Sequence, residues 1–94
     1  MKIEPHETEI AGEWIMRDGK VHADAACERI DALIQTELIF LYTDQSGWSA
    51  LYKDKNDGRY WERIFPHSER HGGGPPTLRI ISFDDAIRKY GLNK

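Results

Sequence analysis

Two histidines offer the first chemistry to consider in this chain. His67 and His71 stand four positions apart, which on a helix would place both imidazoles on one face to bind a metal ion. Pro66 comes directly before the pair and the glycines at 72–74 follow it, so we do not expect a stable helix here. Glu69 is the nearest candidate for a third ligand. The pattern leaves open a small metal-binding or enzymatic domain built on His67, Glu69 and His71, but it favours a loop without a metal.

The glycine-proline run that follows suggests a second chemistry, the binding of an anion by backbone N–H groups. Gly72, Gly73 and Gly74 give the backbone conformational freedom, but Pro75 and Pro76 have no N–H to donate. The Lys-Ser or Lys-Thr pair that a phosphate-binding loop needs is also missing after the glycines. We therefore expect a shaped structural loop rather than a phosphate site.

Three further patterns lack what their chemistry requires. The stretch 54–58 resembles a calcium loop, but its glycine is in the fifth position and Phe65 stands in the twelfth, so a hairpin turn is favoured. Cys27 lies in an apolar stripe, which is typical of an inert buried thiol. Aromatic residues interleaved with arginines could stack on bases, but acidic residues stand among them. The sequence thus predicts no catalytic residue, no cofactor and no metal.

Composition narrows the class of protein further. The 94 residues include 13 Lys and Arg against 16 Asp and Glu, a formal net charge of −3, which argues against a nucleic-acid partner. The apolar runs fall well short of the roughly 18 residues that cross a membrane, so no membrane partner is expected. The acidic stretch 1–7 lacks the apolar region of a secretory signal, and Cys27 is the only cysteine. We expect a cytoplasmic protein that is a monomer when free.

A single α+β domain over residues 10–94 is predicted to position these residues, behind a loose acidic arm over 1–9. Apolar residues at helical spacing predict a main helix over about 24–35, with Asp24 as its N-cap. A Ser-x-x-Asp capping pattern and a second apolar stripe predict a short C-terminal helix over about 83–90. Both helices are expected to pack against an antiparallel sheet.

The sheet is predicted as an N-terminal hairpin and a meander. Asp18-Gly19 marks the hairpin turn, between a strand at 10–17 and the residues Val21-His22. Short glycine-containing turns separate the meander strands, which are expected at 37–42, 48–53, 59–65 and 77–81. The first of these is apolar at successive positions, which is typical of a central strand covered on both faces.

Short motifs run through residues 10–90 in a specific order. They are Trp14-Ile15, Asp18-Gly19-Lys20, Asp24, Cys27-Glu28-Arg29-Ile30, Gly47-Trp48, Leu51-Tyr52-Lys53-Asp54, Asp57-Gly58-Arg59, Trp61-Glu62, Pro66 and the run from His71 to Leu78. The order Trp-Glu, then Pro, then Gly-Gly-Gly-Pro-Pro-x-Leu is the most specific part. In this order the chain resembles the immunity protein 27 family of bacterial polymorphic-toxin systems.

The resemblance implies a small cytosolic protein that is encoded beside a toxin and neutralises it by binding. It implies neither enzyme activity nor a cofactor. Many such toxins are nucleases with basic clefts, which an acidic inhibitor could plug. A generic adaptor that recognises a peptide along a sheet edge remains an alternative from another functional class.

The motif residues are expected to build the fold rather than the contact surface. The structural set comprises Trp14, Asp24, Trp48, Gly58, Trp61, Glu62, Pro66, Gly72, Gly73, Gly74, Pro75 and Pro76. Toxin contacts are expected from charged and aromatic side chains on the loops that connect the strands. These candidates are Asp44, Trp48, Asp54, Asp57, His67, Glu69 and Arg70.

Overall fold

The computed structural model describes residues 2–68 and 74–91 and shows the predicted α+β class. Its elements are β1 (Glu9–Ala11), β2 (Trp14–Arg17), β3 (Lys20–Ala23), α1 (Ala25–Thr36), β4 (Leu38–Thr43), β5 (Ala50–Asp54), β6 (Tyr60–Ile64), β7 (Thr77–Ile81) and α2 (Phe83–Tyr90). A five-stranded sheet has the order β1-β7-β6-β5-β4, and all neighbours are antiparallel. The meander from β4 to β7 is therefore confirmed.

The N-terminal hairpin is confirmed as well, but it stands apart from this sheet. β2 and β3 pair only with each other among the described strands, with Met16 opposite Val21. Asp18 and Gly19 have φ of 54° and 75°, and a two-residue type I′ turn requires such positive values at both central positions. The short strand β1 instead joins the main sheet beside β7.

Both helices begin where local capping residues predict, α1 after Asp24 and α2 after Ser82. The Asp24 side chain accepts a hydrogen bond from the Cys27 N–H at 2.9 Å, and Ser82 accepts one from Asp85 at 3.1 Å. Gly91 ends α2 in the left-handed conformation, with φ 67°. Within the described ranges, neither helix is long and apolar enough to cross a membrane.

The helices cover opposite faces of the sheet, because alternate residues of a strand point to opposite sides. One core lies beneath α1, where Ile30, Leu33 and Trp61 are fully buried. A second core lies beneath α2, where Leu51 packs with Ala86. The face beneath α2 is therefore the one that also receives Glu62, the cross-strand partner of Leu51.

The N-terminal segment differs from the predicted loose arm. Ile3 is 6% exposed and belongs to the core beneath α1. The Glu7 carboxylate accepts two hydrogen bonds from the Arg29 guanidinium, at 2.6 and 2.7 Å. The Arg59 guanidinium donates to the backbone carbonyls of Glu4 and Glu7 at 3.1 and 2.9 Å. These contacts hold described residues 2–9 against the domain, which composition alone could not reveal.

The prediction that strand 37–42 is central and covered on both faces is wrong. β4 forms one edge of the five-stranded sheet, with β5 as its neighbour. Ile39, Phe40 and Tyr42 are 49%, 56% and 46% exposed. A bulge between Phe40 and Tyr42 shifts the register, and Leu41 packs against the core beneath α2. The apolar run thus serves partly as core and partly as surface.

Candidate protein-binding surface

The meander separates the predicted contact residues into two groups, because alternate turns lie at opposite ends of a sheet. The β4–β5 loop and the segment after β6 share one end, which carries Asp44, Trp48 and His67. We call this part, residues 44–49 and 65–68, the Trp48 end. The β5–β6 turn at the opposite end carries Asp54 and Asp57.

Trp48 is the most exposed aromatic side chain at the Trp48 end, with 54% of its surface accessible. Its ring meets the Phe65 ring edge-on, with centroids 5.7 Å apart and an interplanar angle of 82°. The Arg63 guanidinium carbon lies 5.0 Å from the Phe65 ring centroid. The indole is therefore held in place while much of it faces solvent, which is how a binding anchor is presented.

Asp44 shapes the loop that holds Trp48. Its carboxylate accepts hydrogen bonds from the Ser46 hydroxyl at 2.7 Å and the Gly47 N–H at 3.0 Å. The Ser46 hydroxyl oxygen in turn accepts a bond from the Trp48 N–H at 3.0 Å. The bond from Ser46, followed by those from nearby backbone N–H groups, holds the pKa of Asp44 below its usual value despite partial burial. Asp44 is thus anionic at neutral pH and has a structural role in the loop.

An open groove of about 570 Å³ runs beside Trp48. Trp48 and Phe65 form an aromatic wall, and Arg79 and Lys89 contribute cationic side chains. Pro66, one of the predicted structural residues, also lines the groove and is exposed. The groove gives a binding partner an apolar surface, whereas its two cationic side chains are each already paired with a carboxylate.

The two cations of this groove converge on the buried Glu62 carboxylate. Glu62 is 1% exposed and accepts hydrogen bonds from Arg79 at 2.6 Å, Lys89 at 2.8 Å and the Tyr90 hydroxyl at 2.9 Å. Burial acts to raise the pKa of Glu62, but these three donors outweigh it and the pKa lies below its usual value. Burial, together with the bond to Glu62, raises the pKa of Tyr90. The cluster ties α2 to β6 and β7, so Glu62 belongs to the scaffold behind the surface.

At the opposite end, Asp54 does not have the exposure expected of a toxin contact. It is 1% exposed, and its Oδ1 accepts a hydrogen bond from the Asn56 N–H at 2.8 Å within the turn. Its Oδ2 is buried and has no hydrogen-bond partner among the described residues. Asp54 follows Tyr52 on the face beneath α1, and that strand position accounts for its burial.

Asp57 keeps part of its surface, with 36% of the side chain exposed, but it is already engaged. It accepts bonds from the Arg59 N–H at 2.9 Å and the Arg59 Nε at 2.6 Å. Burial acts to raise the pKa of Asp57, and the Arg59 bonds overcome this effect and lower it. Gly58, between the two, has φ 80° in this turn. The turn therefore orients Arg59 toward the N-terminal segment.

His67 is exposed at the Trp48 end, and Ser68 separates it from residues 69–73, which lie outside the described residues. That range contains Glu69, Arg70, His71, Gly72 and Gly73, so the predicted contacts and the histidine pair that depend on them stay predictions.

At the described end of the glycine-proline run, Gly74 lies against the backbone of His67. Gly74 has φ 77°, and a Cβ there would collide with the backbone of His67. Pro75 is buried and Pro76 half-buried.

Trp61 and Trp14, two further residues expected to be structural, differ in burial. Trp61 is fully buried in the core beneath α1, and Trp14 is half-buried on β2. Within the described parts of the chain, no group of three His, Cys, Asp or Glu side chains is placed to hold a metal ion. Cys27 is buried, which raises its pKa.

The sequence interpretation missed the exposed apolar side chains of β4. Ile39, Phe40 and Tyr42 were assigned to a central strand because an uninterrupted apolar run is typical of one. The run from Leu38 to Thr43 contains no Lys, Arg, Asp or Glu. Such a run fits a buried central strand and an exposed apolar edge strand equally well. Only strand order distinguishes a buried strand from an exposed edge.

A comparison with protein families identifies the family of this chain. The family model described as Immunity protein 27 matches residues 16–82, well over half of the sequence. The chain belongs to the immunity protein 27 family. A search of curated proteins and a search of solved structures each found no match.

The family match spans the sequence from β2 to the N-cap of α2. It therefore includes all seven predicted contact residues and the Trp61-Glu62 pair. Trp14 and the residues of α2 lie outside the matched range. In this immunity protein 27 family member, Glu62 and Arg79 fall within the match, whereas Lys89 and Tyr90 of the same cluster come from beyond it.

Proposed function

We propose that this immunity protein 27 family member binds a cognate bacterial toxin in the cytoplasm and neutralises it by stoichiometric protein–protein contact. The family match over residues 16–82 is the observation that carries the proposal. Proteins called immunity proteins are generally not enzymes, and the proposed inhibition requires only binding. The free protein is expected to be a monomer that meets its toxin as a preformed domain.

The Trp48 end is the proposed site of contact. Trp48 supplies a fixed and half-exposed aromatic ring, and the neighbouring groove combines two aromatic rings with Arg79, residue types that concentrate binding energy at interfaces. Asp44 and His67 flank it, and Glu69 and Arg70 follow His67 in the sequence. Asp54 contributes to the turn instead, because its carboxylate is buried.

The toxin partner is proposed to be a nuclease with a basic cleft. The net charge of −3 would attract such a cleft and increase the rate of encounter. Association with this class of toxin should therefore slow markedly as salt is raised, whereas dissociation should change little. A salt-independent association rate would contradict the electrostatic part of the proposal.

The decisive experiment co-expresses this protein with the toxin domain encoded beside its gene. Cells are expected to survive with the protein and to die without it, and the purified pair should form a 1:1 complex. Equal killing in both cultures would refute neutralisation. Capture of many unrelated peptides instead of one toxin would favour the peptide-binding adaptor.

A matched pair of variants tests the Trp48 end. Trp48→Ala removes a ring that is 54% exposed, and Phe83→Ala removes one that is 50% exposed and also contacts a single neighbouring ring. We expect Trp48→Ala to weaken toxin binding by at least about tenfold and Phe83→Ala to leave it within about twofold. Equal affinities for the two variants would place the contact elsewhere.

A further inference from the structure

The β4 strand presents an unusual edge to solvent. It is the longest strand of the five-stranded sheet, with six residues, and it pairs with β5 on one side. An edge strand bonds to its neighbour through alternate residues and directs the N–H and C=O groups of the others outward. The Lys55 N–H donates to the Glu37 carbonyl at 3.2 Å, so alternation directs the Phe40 N–H away from β5.

Most proteins protect such edges with charged side chains, prolines, β-bulges or very short strands. β4 has the sequence Leu-Ile-Phe-Leu-Tyr-Thr, without a charge or a proline, and its bulge is the one protective feature of these types. The opposite edge, β1, has only three residues and begins with Glu9. The two edges of the same sheet are therefore protected to different degrees.

Exposed apolar side chains accompany the open backbone on both faces of β4. Phe40 lies on the α1 face, where its ring meets the Tyr52 ring with centroids 5.8 Å apart. Ile39 and Tyr42 lie on the α2 face, opposite Lys53 and Leu51 in the register. An added strand would thus find backbone partners along β4 and apolar neighbours above and below it.

The charges at the two ends of β4 indicate which strand fits. Glu37 precedes β4 and Asp44 follows it, and both have a lowered pKa, Glu37 chiefly through a hydrogen bond from the Asn56 side chain. If two copies of this chain paired through fully overlapped antiparallel β4 strands, Glu37 of one copy would lie opposite Asp44 of the other at both ends. Like charges in that arrangement are destabilising. A strand with basic residues at its ends would be attracted instead.

We propose that β4 binds an extended strand of the cognate toxin by adding it to the sheet edge. This strand would carry apolar residues on both faces and basic residues near its ends. The inference rests on the proposed function and specifies how the toxin is held. Thr43 leads directly into the Trp48 end, so the added strand and the Trp48 contact form one continuous surface.

Lysine substitutions test the edge. Phe40→Lys and Ile39→Lys place a charge on opposite faces of β4, and Val21→Lys is the control, because Val21 and Phe40 are both 56% exposed and the hairpin is a separate sheet. With the purified toxin domain, we expect each β4 variant to bind at least about tenfold more weakly than the Val21 variant. Ile39→Lys keeps the Phe40–Tyr52 contact, and thermal unfolding shows that each variant is folded.

Hydrogen exchange tests the backbone pairing directly. The Phe40 amide should exchange at least about tenfold more slowly in the complex than in the free protein, whereas the Val21 amide should not change. Suppose that the wild-type protein binds the toxin but the Phe40 amide exchanges at an unchanged rate, or that the β4 variants bind as tightly as the Val21 variant. Either result would overturn the edge proposal and leave the proposed function standing. Failure of the wild-type protein to bind the toxin would overturn the proposed function. A free dimer that the β4 variants dissociate, without loss of toxin affinity, would assign the edge to a second copy.

Discussion

Replacing Glu62 with glutamine tests whether a negative charge, rather than a polar side chain of the same shape, attaches α2 to the sheet. The Glu62 side chain is 2% exposed, and its carboxylate accepts bonds from Arg79, Lys89 and Tyr90 at 2.6 to 2.9 Å. Glutamine keeps one carbonyl oxygen that can accept a hydrogen bond, but its NH₂ group faces side chains that are themselves donors. Arg79 and Lys89 then lose the negative charge that balances them.

The solvent exposure of Arg79 and Lys89 determines how much stability Glu62→Gln should cost. Removing one member of a fully buried ion pair costs about 3–5 kcal/mol. Arg79 and Lys89 are 48% and 34% exposed, so water can solvate both cations in part. We therefore expect Glu62→Gln to lower the free energy of unfolding by about 2–3 kcal/mol. A domain of this size has a total of roughly 5–14 kcal/mol, so the change is readily measurable.

Urea denaturation followed by tryptophan fluorescence measures the effect, with the exposed Glu28→Gln as a control expected to change stability by less than about 0.5 kcal/mol. Because the pKa of Glu62 is lowered in the folded state, its contribution is complete above the ordinary glutamate value and is lost as pH falls through the folded pKa. The difference between wild type and Glu62→Gln should therefore shrink in acid. A loss below about 0.5 kcal/mol at pH 7, or a difference independent of pH, would refute the reasoning.

Substitutions at three other positions test contacts that fix the fold. Glu7→Gln removes a bidentate pair with Arg29, so unfolding monitored from pH 7 to pH 2 should show a deficit of about 1 kcal/mol at neutral pH. The deficit should disappear as pH falls from about 4.5 toward 2, because the pKa of Glu7 is lowered to about 2, and a constant deficit would contradict this. Gly12→Ala would bring a Cβ to 2.6 Å from the Cys27 sulfur and from a backbone carbonyl oxygen. The midpoint of urea denaturation should therefore fall by the equivalent of about 1–3 kcal/mol in the free energy of unfolding. An unchanged midpoint would show that the neighbouring atoms move to make room. Asp24→Ala should cost about 1 kcal/mol by thermal unfolding through loss of the α1 N-cap, whereas Asp24→Asn should cost much less, and equal losses would argue against capping.

The hairpin turn and the starts of both helices could be predicted from short sequence patterns, because the interactions that form them join residues close together in the chain. The Asp18-Gly19 turn depends on two backbone conformations. The N-caps at Asp24 and Ser82 each join residues three apart. The polar N-terminal segment has no such local signal, because Ile3 and Glu7 are held by residues far along the chain.

The contact surface could be predicted only in part. The loops that carry Asp44 and His67 were located from sequence, but Trp48 was predicted as the first residue of a strand that in fact begins at Ala50. The grouping of these three residues at one end follows from the meander. Asp54 resembles the other turn carboxylates in sequence, and its strand position places it beneath α1.

By itself the sequence determined the α+β class, the hairpin, both helices and the motif order that matches the immunity protein 27 family. The tertiary structure decided which strand lies at the edge, and it made the apolar residues of β4 a surface. It also brought Lys89 to Glu62 across 27 positions of sequence. The physical reason is that turns, caps and stripes depend on neighbours within about one helical turn, whereas strand order and ion-pair partners depend on how distant segments pack.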